Sequence, residues 1–314
     1  MRKRPLGKTG ISVSELALGT WGLSGDGYAK VAEAEQDRVI DRACALGITL
    51  FETADDYAEG AMERRLGQRL NDPKRTHIAT KIGNDRASSP PRKRFDVRFL
   101  RESFERSRER LRRETVDLVM LHNPSLAALE RGEAIGVMTE LVEKKAISAF
   151  GVSVASWQSA RAALERGASV VSLSHNVFHA TDLRMLGDDI KKYEAGVLAH
   201  SVLSYGLLCG HWAIDKNFGE GDHRHDRWTT DELRRRLRQL DALRPVVGGA
   251  VLTMRAGALR YMLSNQLVSS AILGPRSTLQ LDQLVREAGK EPPYLSEQQL
   301  TALGARLKDA GVDP

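Results

Sequence analysis

Cysteine is scarce: the 314-residue chain has 2, Cys44 and Cys209, in unrelated contexts and without CxxC spacing. That excludes a disulfide framework and a structural zinc site, and it fits a reducing cytoplasm. Long apolar runs are missing as well. The basic start MRKRPLGKTG is followed by no uninterrupted apolar stretch, and no segment approaches the length that spans a bilayer. A soluble, unexported cytoplasmic protein is expected, without a membrane partner. No repeat of solenoid length occurs and no Pro/Ser-rich linker divides the chain. With hydrophobic content of 41%, residues 1–314 suffice for one large core and read as one domain.

A formal net charge of +6 invites a nucleic-acid reading, because a basic balance attracts phosphate regardless of sequence. The distribution of the charge points elsewhere. In the densest run, residues 92–114, Arg is interleaved with Glu, while Phe95, Phe99, Leu100, Phe104 and Leu111 recur at helical spacing. This is the pattern of a solvated helix face carrying i,i+4 pairs. No nucleic-acid partner is expected, and the positive field suits an anionic cofactor.

What the chain does contain is an alternation. Strand-like runs fall at residues 15–18, 48–52, 77–81, 116–121, 147–152, 169–173, 197–201 and 270–273. Amphipathic stretches separate them, among them residues 33–46, 62–70, 96–112, 132–145, 157–166 and 182–193. Strands alternating with helices predict a closed parallel α/β barrel of the (β/α)8, or TIM, class. One irregular stretch, residues 211–232, is rich in Gly and charge and falls between the seventh and eighth strands. It reads as a long active-site loop. Its histidines, His211, His223 and His225, lack companion carboxylates or thiolates at ligand spacing, so no metal is expected there.

Several of the runs begin apolar and β-branched and turn abruptly polar, as buried parallel strands do where they emerge. Glu52 and Tyr57 follow one in LFETADDY, Lys81 another in HIATKIG, and His122 a third in DLVMLHNP. A Tyr beside a Lys can act as a general acid, because the cation favours phenolate and lowers the phenol pKa. A carboxylate would keep that Lys charged and aimed. A His at the next strand end could donate a hydrogen bond to a carbonyl oxygen as negative charge develops there. Taken singly, each of these residues has an ordinary structural reading. Their joint occurrence at successive strand ends favours a proton-delivery site.

From these residues outward the chain resembles the aldo-keto reductase family. The resemblance runs through PLGKTGISVSELALGTWGLS, GITLFETADDYAEGAMERRLG, ATKIG, VDLVMLHNP, ISAFGVS, LAHSVLSYGLLCG and AILGPRSTLQLDQL, in the family's order. It implies an N-terminal β-hairpin plugging the barrel and an oxidoreductase that reduces an aldehyde or ketone with NADPH. Tyr57 would be the proton donor, Lys81 its activator, Glu52 the holder of Lys81, and His122 the group that orients the carbonyl. The resemblance places Thr20, Trp21, Ser153, Ser201, Leu203 and Gly206 at the dinucleotide. It also places Leu208, Gly274, Arg276, Ser277, Gln280 and Gln283 there. The residues themselves agree in part: glycines permit close approach to a pyrophosphate, and a Gly-rich turn opening a helix favours an anion. Arg276 favours NADPH over NADH. The GxGxxG of open dinucleotide-binding sheets is absent, as a barrel requires.

Departures from the family pattern gather at the nicotinamide. Glu52 stands for the family's Asp, Val154 for an Asn, Ser172 or Ser174 for a Gln, His200 for a stacking aromatic and Leu284 for an Asn. They leave open an isomerase, epimerase or dehydratase that uses Glu52 and Tyr57, and a barrel that senses NADPH without turning over. Trp21 and the loop carrying Trp228 are expected at the mouth, where indoles suit a small cyclic or sugar-like carbonyl substrate. Oligomeric state is not encoded in these signals.

Overall fold

Period-two alternation along the buried strands decides which side chains enter the barrel and which face the helices. The protein was studied as a computed structural model, which describes residues 1–70 and 72–313. In chain order its strands are β1 (Lys3–Pro5), β2 (Ser12–Ser14), β3 (Leu16–Gly19), β4 (Leu50–Glu52), β5 (His77–Ile82) and β6 (Asn84–Asp85). They continue as β7 (Arg92–Lys93), β8 (Val116–His122), β9 (Ile147–Ser153), β10 (Val170–Ser174), β11 (Gly196–His200) and β12 (Ser270–Leu273). Strands β3, β4, β5, β8, β9, β10, β11 and β12 pair in parallel and close on themselves, so each expected strand takes its place in the barrel.

Inward positions Ala17, Leu50, Ala79, Leu118, Ala149 and Leu198 form an inner core. Their neighbours Leu18, Phe51, Ile78, Val119, Phe150 and Val197 belong to a separate, larger core under the surrounding helices. The same alternation, continued upward, turns Glu52, Lys81, His122, Ser153, Ser174 and His200 inward as the topmost layer. The register agrees, with His122 level with Ser153 and Ser174 level with His200.

The hairpin β1–β2 is antiparallel. Leu6 and Val13 seal the inner core from the strands' N-terminal end, and Lys8 N–H donates to the Glu194 carbonyl at 2.8 Å. Among the helices, Val97–Leu111 shows how the sequence sets both ends and face. The Asp96 side chain caps it by accepting from Phe99 N–H, and Phe99, Leu100, Phe104 and Leu111 fill its buried stripe.

Two expectations need revision. The amphipathic stretch 182–193 is not one helix but two, Thr181–Met185 and Gly187–Tyr193. Leu186, fully buried between them at φ −94° and ψ −4°, breaks the run, which hydrophobic periodicity does not register. The irregular stretch expected at 211–232 lies between β11 and β12 and ends at Thr229, because its last three residues already belong to a helix. It leads into helices Thr230–Leu240 and Met254–Ser264, which with the C-terminal helix Glu297–Asp309 enclose a satellite core around Leu233, Leu243, Val251 and Leu303. Among the described residues no helix is long and apolar enough to cross a membrane.

Candidate active site

A cleft of about 1020 Å³ opens over the C-terminal ends of the barrel strands, and Glu52, Tyr57, Lys81 and His122 all line it. Lys81 Nζ lies 3.0 Å from Tyr57 Oη and 2.8 Å from the Thr53 carbonyl, and it forms an ion pair with the Glu52 carboxylate. An ammonium group has three hydrogens and no acceptor. Lys81 therefore spends them on Glu52, Thr53 and Tyr57, and the Tyr57 oxygen accepts. The phenolic proton is left free to point into the cleft. The added methylene of Glu52 does not prevent its contact with Lys81, and the Thr53 carbonyl is a third partner that no side-chain pattern announces.

Burial depresses the Lys81 pKa, but Glu52 and Tyr57 outweigh it, so the ammonium is held above its ordinary range. At Tyr57 the balance departs from expectation. Burial raises the phenol, Lys81 opposes it, and Glu52 and Asp56 add to the rise, so the net shift is upward rather than downward. The proton thus stays on Tyr57 through the neutral range. Burial followed by the charges of Lys81 and Lys93 lowers His122 well below the usual imidazole value, so its ring is neutral.

Tyr57 is followed by residues with left-handed backbone, Ala58 at φ 47° and Glu59 at φ 52°. Such conformations are strained for residues with a Cβ and persist where surroundings impose them. Here the Asp26 carboxylate accepts from Ala58 N–H at 2.8 Å. Arg86 donates to Asp26 at 3.1 Å and to Asp56 at 3.3 Å, and Asn84 reaches both Asp56 and His122. Asn84, Asp56, Arg86 and Asp26 were not singled out from the sequence. Asp56 and Asn84 do flank Tyr57 and Lys81 closely in the chain, which is the signal that could have found them.

Of the residues assigned to the dinucleotide by motif, Trp21, Ser153, Ser201, Leu203, Gly206, Gly274, Arg276, Gln280 and Gln283 line the cleft. Three do not. Leu208 is fully buried in the satellite core. Ser277 caps the helix Thr278–Ala288 by accepting from Gln280 N–H at 3.2 Å. Thr20 is buried with its hydroxyl unpartnered. Val154, His200 and Leu284 line the cleft as well. So does Ser174, whereas Ser172 lies fully buried on the preceding inward turn of β10 with its hydroxyl unpartnered. Burial, then the Lys81 charge, takes the His200 pKa down to about 4, so it too is a neutral ring.

The donor set fits a dinucleotide. Arg276 Nη2 donates to the Ala29 carbonyl at 2.5 Å, while its Nε is buried without an acceptor. Beyond β11 the backbone turns left-handed at Ser201, Ser204, Tyr205 and Gly206. A Cβ on Gly206, at φ +102°, would also press on the Trp212 ring at 3.3 Å. A negatively charged group could approach this glycine closely.

The loop after β11 folds over the cleft. His223 N–H donates to the Gly27 carbonyl at 2.9 Å, and its ring packs edge-on against Trp21, Tyr28 and Tyr205, with centroids 4.7, 4.7 and 5.2 Å away. The loop carrying Trp228 does line the cleft, through His211, Trp212, Arg224 and Arg227, but Trp228 itself does not. Its indole packs against Trp212, Phe218 and Tyr205 within the loop, and Tyr28, Tyr205 and Trp212 join Trp21 in lining the cleft instead. His223 and His225 are engaged elsewhere, the latter with the Phe218 carbonyl at 2.7 Å. Asp55, Asp56 and His122 do bring possible ligand atoms within 4.8 Å of one another. The Arg86 guanidinium on Asp56, with Lys81 and Lys93 facing His122, opposes a cation there.

The model of the Aldo/keto reductase family matches residues 15–303. The chain is 28% identical to a pyridoxal 4-dehydrogenase of Microbacterium luteolum, over 90% of this chain and 92% of that protein. It is 30% identical to an uncharacterised oxidoreductase of Mycobacterium tuberculosis, over 92% of this chain and 88% of that one. Among solved structures, the glycerol dehydrogenase of Gluconobacter oxydans superposes with a TM-score of 0.85 at 25% identity, covering 99% of this chain and 97% of that chain.

Proposed function

The chain belongs to the aldo/keto reductase family, and from that premise we propose that it reduces an aldehyde or ketone with NADPH, using Tyr57 as proton donor. The observation that carries this reading is the Lys81 ammonium, placed 3.0 Å from the Tyr57 oxygen while paired with Glu52. When bound, the nicotinamide would supply a hydride to the carbonyl carbon. Tyr57 gives its proton to the carbonyl oxygen. Lys81 stabilises the phenolate left behind, and Glu52 keeps Lys81 charged. Neutral His122 offers an N–H to the same oxygen as negative charge grows on it. Ser153 and Ser174, polar side chains lining the cleft at the strand ends, would be available to hold the carboxamide. Arg276, with a buried donor to spare, supports NADPH over NADH.

Trp21 and Tyr28 at the mouth suit a flat or cyclic carbonyl compound. Pyridoxal, an aldehyde named in one relative's activity, and glyceraldehyde and dihydroxyacetone, the carbonyl counterparts of the glycerol named in another's, head the panel to be tried. The rival reading, with Glu52 as a free base, has less support because its carboxylate is 5% exposed and committed to Lys81. Replacing Tyr57 with Phe keeps the ring and removes the proton. NADPH consumption over a carbonyl panel is expected to fall by about 100-fold or more, the usual worth of a general acid. Undiminished turnover would remove Tyr57 from the mechanism.

A further inference from the structure

His122 can help a carbonyl oxygen only if its cleft-facing nitrogen carries the proton, and the side chains behind the ring decide that. Asn84 opens β6, directly beyond the strand that carries Lys81. Its Nδ2 lies 2.7 Å from Asp56 Oδ2 and 2.9 Å from His122 Nδ1. A carboxylate accepts and does not donate, so the group of Asn84 that meets Asp56 is the amide NH₂. Its second hydrogen points at His122 Nδ1, which must then be the bare nitrogen. In a neutral ring the remaining proton sits on Nε2.

We propose that Asn84 is a positioning residue that fixes His122 as its Nε2–H tautomer, aimed at the substrate oxygen. The proposal rests on the reductase reading of this site. Asn84 matters because a competitor stands beside it: Asp56 Oδ1 is 3.7 Å from His122 Nδ1 and is otherwise unpartnered. Without the amide between them, that carboxylate would draw a proton onto Nδ1 and leave Nε2 bare. The arrangement is braced through Arg86, which ties Asp56 to Asp26, and through Asp26, which holds Ala58 N–H after Tyr57. One chain of bonds therefore aligns the proton donor's turn and sets the imidazole's tautomer. A second carboxyl, Asp55, also has an oxygen within 4.8 Å of the ring, and burial followed by the Asp56 charge raises its pKa to about 8, so it is mostly protonated at neutral pH. The remaining groups facing the ring are Lys81, Lys93, Arg86, His200 and the edge of Tyr57, whose ring centroid is 6.2 Å away.

Ring-¹⁵N NMR of the histidine-labelled protein tests this, with the His122 signals identified by their loss in His122→Gln. The wild type should hold the Nε2–H form across about pH 6 to 8, where an ordinary imidazole titrates. Asn84→Asp sets a carboxylate against Nδ1, so the ring's proton should shift there and leave Nε2 bare, and a new ionisation, formation of the imidazolium, should enter the kcat–pH profile. Its kcat should fall about 100-fold, as for loss of one donor to a developing oxyanion, with the KM for NADPH little changed. Asn84→Ala should move the proton to Nδ1 facing Asp56, and serves if Asn84→Asp does not fold. A wild type protonated on Nδ1, or variants whose spectra and pH profile match the wild type, would overturn the proposal. If the tautomer switches as expected while no carbonyl is reduced by either protein, Asn84 keeps its assignment and the reductase reading falls.

Discussion

The Arg276 guanidinium donates from Nη2 to the Ala29 carbonyl, yet its Nε is buried without an acceptor, and the ring of Tyr28 lies 5.4 Å from its centre. An unmet charged donor beside a dinucleotide cleft is what an extra phosphate would satisfy. Charge-assisted hydrogen bonds contribute about 1.5–3 kcal/mol, or roughly 10- to 100-fold in binding. Arg276→Ala should therefore raise the KM for NADPH by about 10-fold or more and leave that for NADH almost unchanged. Steady-state titrations with both dinucleotides check this, and equal effects on the two would dissociate Arg276 from the choice. At this scale the four candidate residues that the cleft brings together, Glu52, Tyr57, Lys81 and His122, were legible because each lies at or just beyond the end of an apolar run. Asn84 and Asp56 were not, because their roles come from meeting each other and His122 across separate strand ends. The upward shift at Tyr57 was equally hidden, since it arises from burial, which only the packed structure reveals.

The turn leaving β11 is the element on which the cofactor reading leans most. Ser201, Ser204 and Tyr205 hold φ values of 55°, 46° and 60°, and Gly206 completes the run at 102°. Asn176 fastens the start of this turn by donating to the Ser201 carbonyl at 2.9 Å, and Arg224 reaches the Tyr205 carbonyl at 3.4 Å. Adding a Cβ at Gly206 should cost about 1–2 kcal/mol through the left-handed conformation alone. For Gly206→Ala we expect a Tm lower by a few degrees and weaker NADPH binding in a fluorescence titration. If both were unchanged, the turn would not be a cradle. Element by element, the barrel strands were legible because buried parallel strands read as short apolar runs. The ribbon β6–β7 was invisible, because GNDRASSPPRKR carries no periodic apolar signal. The helix Thr230–Leu240 was not named from the sequence, and its first three residues were read as the end of the irregular stretch 211–232, although Thr229 and Glu232 form a capping box at its start.

At the scale of the molecule, inward and outward faces of the strands separate two jobs. Lower inward positions, closed by Leu6 and Val13, make a packed floor, and the topmost inward positions carry Glu52, Lys81, His122, Ser153, Ser174 and His200. Alternation continues through both, so the pattern that specifies the core also aims the chemistry. The barrel was legible because its alternation of strand and helix is written in the order of the runs. The satellite core of the β11–β12 excursion was not, because its partners lie far apart in the chain. In the proposed reaction hydride passes to a carbonyl carbon at this site. NADPH deuterated at nicotinamide C4, in each of its two epimeric forms, should be turned over with the carbonyl panel and the products examined by mass spectrometry and NMR. One epimer should deliver its deuterium to the carbinol carbon, in step with NADPH consumed. Product formed without label, or with no net NADPH consumed, would contradict it.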